Sequence, residues 1–199
     1  MTEHYFSRHQ TSELIKREWA INYKGKVLQF ETASGTFSPK KLDTGTTALL
    51  DEMQLPASGR VLDLGCGNGI IGIAAAAVNP KLDVVLADIN GRAVVETRSN
   101  IKRNRLNNAT VTQSDLFEKI GGEFDCVLTN PPISAGREVV FAMIGGAHAH
   151  LKAGGSLQLV ARGKKGGGMI KAEMERVFGN AETIGRQSGF HVYKSVKAE

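Results

Sequence analysis

From about residue 46 onward, the chain alternates between two hydrophobic patterns. Short, nearly continuous apolar runs occur at GRVLDLGC (59–66), DVVLAD (83–88), ATVTQSD (109–115), FDCVLTN (124–130) and GSLQLVAR (155–162). Between and after them lie longer stretches, 70–79, 92–106, 139–151 and 169–179, that read as helices, with apolar residues at helical spacing clearest over 92–106. Unbroken apolar runs suit strands buried on both faces, and strands separated by helices build a parallel, doubly wound sheet. The closing stretch AETIGRQSGFHVYKSVK (181–197) reads as a strand pair. The fold class is α/β.

The first 45 residues break this rhythm. SELIKREW (12–19) is expected to be helical, VLQFET alternates as one or two antiparallel strands would, and GTFSP marks a turn. Residues 1–45 are therefore expected to form an arm packing over the mouth of a core domain spanning 46–199. The sequence holds no internal repeat; GKKGGG (163–168) is a short basic, glycine-rich loop.

Composition agrees with one domain. The 199 residues are 41% hydrophobic and 23% charged, enough to bury a full core. The N-terminal MTEHYFSRHQ is polar and no run approaches membrane-spanning length, so neither signal peptide nor membrane anchor is expected and the location expected is cytoplasmic. The two cysteines, Cys66 and Cys126, fall in strands or strand ends without ligand spacing, which argues against a disulfide framework or a metal site. His148 and His150 point apart on a helix, and Trp19 reads as a packing residue of the arm.

Charge changes the picture only by its placement. The formal net charge is +5, yet residues 92–105 alone carry +4, as do residues 152–176. A basic balance suits a polyanionic partner and is also common in plain enzymes. Loops after parallel strands open on the ligand side, so Arg162, Lys164 and Lys165 are expected to flank the substrate mouth and contact phosphates. Arg98 to Arg105 are expected to be a solvated face.

The candidate chemistry sits at strand ends. VLDLGCGNG places Gly65, Gly67 and Gly69 immediately after the first core strand, with Cys66 and Asn68 between them. Glycine allows a sharp turn and close approach of a ligand, at the place where doubly wound sheets bind one. Position 70 is Ile70, so the dinucleotide fingerprint fails, and no Lys-Ser or Lys-Thr follows as a P-loop demands. Asp63, two residues before the first glycine, suits a cationic ligand better than a phosphate. Asp88 closes the next strand, where a carboxylate can hold a ribose diol. Asp115 closes the third, where it can accept from an adenine amino group while Ile89 or Leu116 packs on the ring. Each aspartate alone also reads as a helix cap or Asx turn; the agreement of three successive strand ends points to one crevice. LTNPPI (128–133) ends the fourth strand in a rigid corner, because proline fixes its own φ and restricts the residue before it.

VLDLGCGNG, LADIN, SDLF and NPPI, in this order and spacing, resemble the signature motifs of class I S-adenosylmethionine-dependent methyltransferases, over roughly residues 44–199. The resemblance implies a mostly parallel seven-stranded Rossmann-like sheet of order 3-2-1-4-5-7-6 with the last strand antiparallel. It implies S-adenosylmethionine as cofactor, with Gly65, Gly67 and Gly69 under its methionine part, Asp88 on its ribose, and Asp115 with Leu116 framing its adenine. In relatives with Asn-Pro-Pro-aromatic the acceptor is a conjugated nitrogen. Asn130 and the Pro131 carbonyl would then bind its two hydrogens, with Pro132 and Ile133 completing the corner. Ile133 departs from the usual stacking aromatic, a role Phe37 is placed to take.

GTFSPKKLDTGTT is similar to the segment before the core of ribosomal RNA guanine-N2 methyltransferases of the small methyltransferase-domain family. By that likeness Gly45 and Thr46 line the cofactor pocket, and the partner is RNA, most simply ribosomal. The chain has room for the catalytic half alone of the longer bacterial members. The expected reaction is methylation of guanine N2. A protein glutamine amide, adenine N6, or a cofactor-binding module without catalysis remain the other readings, and a homo-oligomer stays open; neither a metal nor a membrane is called for.

Overall fold

In the computed structural model, residues 16–33, 42–132 and 136–198 are described. Five of the predicted strands form the parallel part of one sheet: β3 (Gly59–Leu64), β4 (Leu82–Asp88), β5 (Ala109–Gln113), β6 (Phe124–Thr129) and β7 (Leu151–Arg162). The C-terminal pair, β8 (Glu182–Gln187) and β9 (Phe190–Val196), completes it in the order β5-β4-β3-β6-β7-β9-β8. β9 lies antiparallel to both neighbours. Counted from the first core strand this is 3-2-1-4-5-7-6, as the resemblance implied.

Helices cover both faces. α1 (Thr44–Glu52), α2 (Ile70–Val78) and α3 (Gly91–Arg103) lie on one, and α4 (Arg137–His150) and α5 (Gly168–Phe178) on the other. α2 approaches most closely: a Cβ on Gly72 would lie 2.5 Å from the Leu86 side chain, so only glycine lets this helix settle on β4. α1 carries no strong apolar period in its sequence. It is stopped and started by chemistry instead, with Asp43 capping its N-terminus.

The arm departs from expectation. The described part of SELIKREW is not helical but belongs to strand β1 (Lys16–Tyr23), which pairs in register with β2 (Lys26–Ala33). The reason is a period of two: Trp19, Ile21 and Tyr23 fall on the same face as Leu28 and Phe30, and Trp19 stacks on Phe30 at 4.9 Å. Burying side chains such as Tyr23, Leu28 and Phe30 is worth about 1.5–3 kcal/mol apiece, against helix-propensity differences below about 0.7 kcal/mol per residue. Packing therefore decides the conformation.

The hairpin lies against α3. Asn104 and Asn100 of that helix treat β2 as a third strand would, the first bonding both backbone groups of Gln29 and the second both of Glu31. Arg103, expected to be solvated, bridges Glu18 and Glu31 at 3.0 and 3.1 Å. Among the described residues no helix is long and apolar enough to cross a membrane.

Candidate active site

The carboxyl ends of β3, β4, β5 and β6 are tied together into one ledge. At the end of β3 the N–H groups of Gly65 and Cys66 both donate to the Ala87 carbonyl, at 2.8 and 2.9 Å. At the end of β6 the Thr129 hydroxyl donates to the Leu64 carbonyl at 2.8 Å. The Ser114 N–H after β5 donates to the Asp88 carbonyl at 3.0 Å, and the Gln113 side chain to the Ile89 carbonyl at 2.9 Å. The strand ends that carry the predicted residues therefore lie side by side along one edge of the sheet.

The glycine turn is built as its sequence demands. Gly65, Gly67 and Gly69 have φ of +74°, +57° and +84°, a region that L side chains avoid. α3 braces the turn from behind: the Thr97 hydroxyl donates to the Gly67 carbonyl at 2.7 Å, and the Asn100 amide to the Asn68 carbonyl at 3.0 Å. Cys66 lies buried against Thr97, and burial raises its thiol well above the usual range. Cys126 is buried too, its thiol pushed up to about 12, so neither thiol is a nucleophile.

Two carboxylates face this turn. Asp88 accepts from the Gly67 N–H with one oxygen and the Asn90 N–H with the other, both at 2.8 Å. Burial raises its pKa while these backbone donors oppose the rise. One acceptor position on each oxygen is thus spent on shaping the loop, and others remain for a ligand. Asp63 lies beneath the turn, fully buried. Its Oδ2 accepts from the Gly72 N–H at 2.8 Å, while Oδ1 has no partner among the described residues. Desolvation, partly opposed by the Gly72 bond, raises its pKa to about 7. A buried carboxylate with one unsatisfied oxygen is expensive to keep, and a cationic donor placed there would satisfy it.

The third strand end is less enclosed. Asp115 and Leu116 are half-buried, and Leu116 holds φ of +47°, a strained conformation for a branched side chain costing on the order of 1–2 kcal/mol. A short turn after it, closed by the Glu118 N–H on the Asp115 carbonyl, fixes that geometry.

On the other side of the crevice stands Asn130, half-buried, directly after β6. Its amide donates to Asp43 Oδ2 at 3.1 Å and to Thr46 Oγ1 at 3.0 Å. Asp43 also accepts from the Gly45 and Thr46 N–H groups at 2.8 and 3.1 Å and from the Thr46 hydroxyl. No donor among the described residues reaches Asn130 Oδ1. Pro131 is buried and Pro132 half-buried beside it.

Phe190 closes α1 from outside. A Cβ on Gly45 would meet its ring at 3.0 Å, and the Arg162 guanidinium lies over that ring at 5.3 Å. Arg162 thus stands at the carboxyl end of β7 as expected, propped on an aromatic, with exposed Lys164 in the turn beyond. Phe37, Ile133 and the Lys165 side chain lie outside the described residues.

Sequence reasoning missed four residues that build this site. Thr97 and Asn100 are polar residues on the buried face of a helix whose apolar period drew the attention. Asp43 is visible in the sequence only as a cap before Thr44. Phe190 reads as one more strand residue.

Comparison with known proteins places this architecture. The family profile described as methyltransferase small domain matches residues 27–194. The chain is 34% identical to the uncharacterized protein YbxB of Bacillus subtilis over 99% of its own length and all of that protein's. It is 34% identical to the ribosomal RNA small subunit methyltransferase C of Hamiltonella defensa over 91% of its own length and 54% of that relative. Among solved structures, the T. thermophilus 16S rRNA N2 methyltransferase RsmC, in complex with AdoMet and guanosine, superposes with a TM-score of 0.83 at 26% identity, covering 94% of this chain and 51% of that one. The chain thus spans about half the length of the ribosomal RNA methyltransferases it matches. It belongs to the methyltransferase small domain family, and with it to the S-adenosylmethionine-dependent methyltransferases.

Proposed function

We propose that this protein methylates the exocyclic N2 of guanine in structured RNA, most simply ribosomal RNA. The observation that carries the reading is the orientation of Asn130: its NH2 is consumed by Asp43 and Thr46, and its carbonyl oxygen is left as an acceptor beside the crevice. An amine conjugated to a ring is a weak nucleophile because its lone pair is delocalised. Two acceptors, Asn130 Oδ1 and the Pro131 carbonyl, would hold its two hydrogens and favour a pyramidal nitrogen with its lone pair turned toward the cofactor. S-adenosylmethionine, when bound, supplies an electrophilic methyl group on a sulfonium. What the chain adds is orientation and fixed dipoles, which need neither a strong base nor a metal.

The residues present fit that cofactor. Asp63 Oδ1, buried and unsatisfied, would accept from its ammonium; Gly65, Cys66, Gly67, Asn68 and Gly69 would lie under its methionine part, and Gly45 and Thr46 would line the same pocket. Asp88 would hold the ribose and Asp115 the adenine, with Ile89 or Leu116 packing on its ring. Arg162, Lys164 and Lys165 would meet phosphates. The likeness to a 16S rRNA N2 methyltransferase solved with guanosine supports the choice of acceptor.

The test is transfer of labelled methyl from S-adenosylmethionine, offered separately to deproteinised RNA and to RNA-free protein extract from cells lacking the gene. Label in RNA that digests to N2-methylguanosine is expected. Label confined to protein would replace this reading with glutamine-amide methylation.

A further inference from the structure

Asp43 caps α1 and also touches the residue on which the chemistry depends. We propose that Asp43 is a positioning residue that dictates which end of the Asn130 amide faces the reacting nitrogen. This rests on the role of Asn130 proposed above and adds the device that enforces it.

The argument is one of donors and acceptors. A side-chain amide has two nearly isosteric ends, and a half-turn exchanges an acceptor for a pair of donors. For a substrate amine the exchange would set N–H against N–H, so an Asn130 free to rotate would spend part of its time repelling its substrate. Asp43 Oδ2 can only accept. The Thr46 hydroxyl has one hydrogen, and it is committed to that same Oδ2, so toward Asn130 the Thr46 oxygen can only accept as well. Both partners therefore demand the NH2 end, and Oδ1 is left facing the crevice. The demand is strengthened because Oδ2 is a charged acceptor, and charge-assisted bonds are roughly twice as strong as neutral ones.

The two halves of this device lie 87 residues apart in the chain. Asp43 is itself fixed, by two backbone N–H groups in the first turn of α1. The Asn130 backbone is fixed by Thr129 on one side and by the prolines on the other. Only the amide torsion is left to choose, and Asp43 chooses it.

Capping and positioning separate by substitution. Asp43→Ser keeps a good cap, because serine stands with aspartate among preferred N-cap residues, but its shorter side chain gives up Asn130. Asp43→Asn can place its single oxygen at the Oδ2 position, which serves Thr46 and Asn130, at the cost of setting its NH2 against the Gly45 N–H. The expected result is that Asp43→Ser lowers kcat by about 100-fold with cofactor Kd, KM and Tm nearly unchanged, whereas Asp43→Asn stays within about fivefold of the parent. The proposal is overturned if Asp43→Ser turns over at the parent rate, if its loss tracks a loss of cofactor affinity or of stability, or if the two variants fall equally.

A second readout needs no substrate. In 15N-labelled protein the Asn130 side-chain NH2, identified by its loss in Asn130→Asp, should be shifted and slow to exchange in the parent and in Asp43→Asn, but not in Asp43→Ser. An amide signal indifferent to all three also overturns the proposal. If the parent transfers no methyl to RNA, the acceptor assignment fails; the amide signal still decides the role of Asp43.

Discussion

The two walls of the crevice are built by different means. The wall formed by β3, β4 and the glycine turn is made largely of backbone: N–H groups of residues 65–67 and Asn90 bond the Ala87 carbonyl or the Asp88 carboxylate, all within the β3–α2–β4 unit. The wall opposite is made of side chains from distant segments: Asp43 and Thr46 from α1, Asn130 from β6, Arg162 from β7 and Phe190 from β9. The first wall can offer a stable, generic cradle. On the proposed function the second would tell one acceptor from another, because it presents oriented polar atoms whose identity a single substitution changes. A family of enzymes that shares one cofactor and differs in acceptor would be expected to keep the first and vary the second.

The largest effect that would break this division is expected at Asn130. Asn130→Ala should lower kcat about 1,000-fold while cofactor Kd, measured by calorimetry, moves less than threefold. Equal loss of both would merge the two walls into one. The converse experiment is Asp88→Asn. An amide has one acceptor oxygen where the carboxylate has two, so the Gly67 or Asn90 N–H is left facing an NH2 group. Cofactor affinity should fall by roughly 100-fold, and methyl transfer at saturating cofactor should recover most of its rate.

α3 ties the glycine turn of the first wall to the hairpin, and there the expected effect is on stability. Fully buried Asn100 bonds the Glu31 N–H and C=O of the hairpin and the Asn68 carbonyl of the glycine turn. Asn100→Leu keeps the branching and heavy-atom count of the side chain but leaves these backbone groups without it, which should cost about 2 kcal/mol and lower Tm by about 4–8 °C. Amide exchange at Glu31 should accelerate in parallel. Unchanged exchange there would show that β1 pairing alone holds the hairpin.

The same contrast explains what the sequence made legible. The glycines at 65, 67 and 69, the aspartate closing β4 and the one two residues beyond β5 could be placed because a backbone-built turn needs particular residues at fixed local spacing. The sheet order followed from the motifs that resemble a known fold. The first strand was misread because SELIKREW also satisfies a helical pattern, and only the partner face of β2, with Leu28 and Phe30, shows that its period is two. Asp43 and Asn130 could each be noted as single residues, but no local rule pairs positions 87 residues apart. Arg103 was taken for a solvated charge because its partners Glu18 and Glu31 belong to that same misread arm.

The smallest expected effect tests whether the backbone wall carries a charge at its centre. Asp63, with its pKa raised to about 7 by burial, binds a proton in the folded protein that it would not hold unfolded at the same pH. The sign follows: between the ordinary value of 3.8 and about 7 the folded state carries more protons, so stability of the cofactor-free protein falls as pH rises through this window and levels off above it. The deprotonated form is the one that would pair with the cofactor's ammonium. Cofactor Kd should therefore be about fourfold weaker at pH 6.5 than on the plateau above about pH 8, and Asp63→Asn should flatten that dependence while stabilising the cofactor-free protein at pH 8. A wild-type Kd that is flat from pH 6.5 to 8, with Asp63→Asn binding as tightly, would mean that the unsatisfied Oδ1 meets no charge. The glycine turn would then hold its ligand by shape and backbone alone, and the contrast between the two walls would be sharper still.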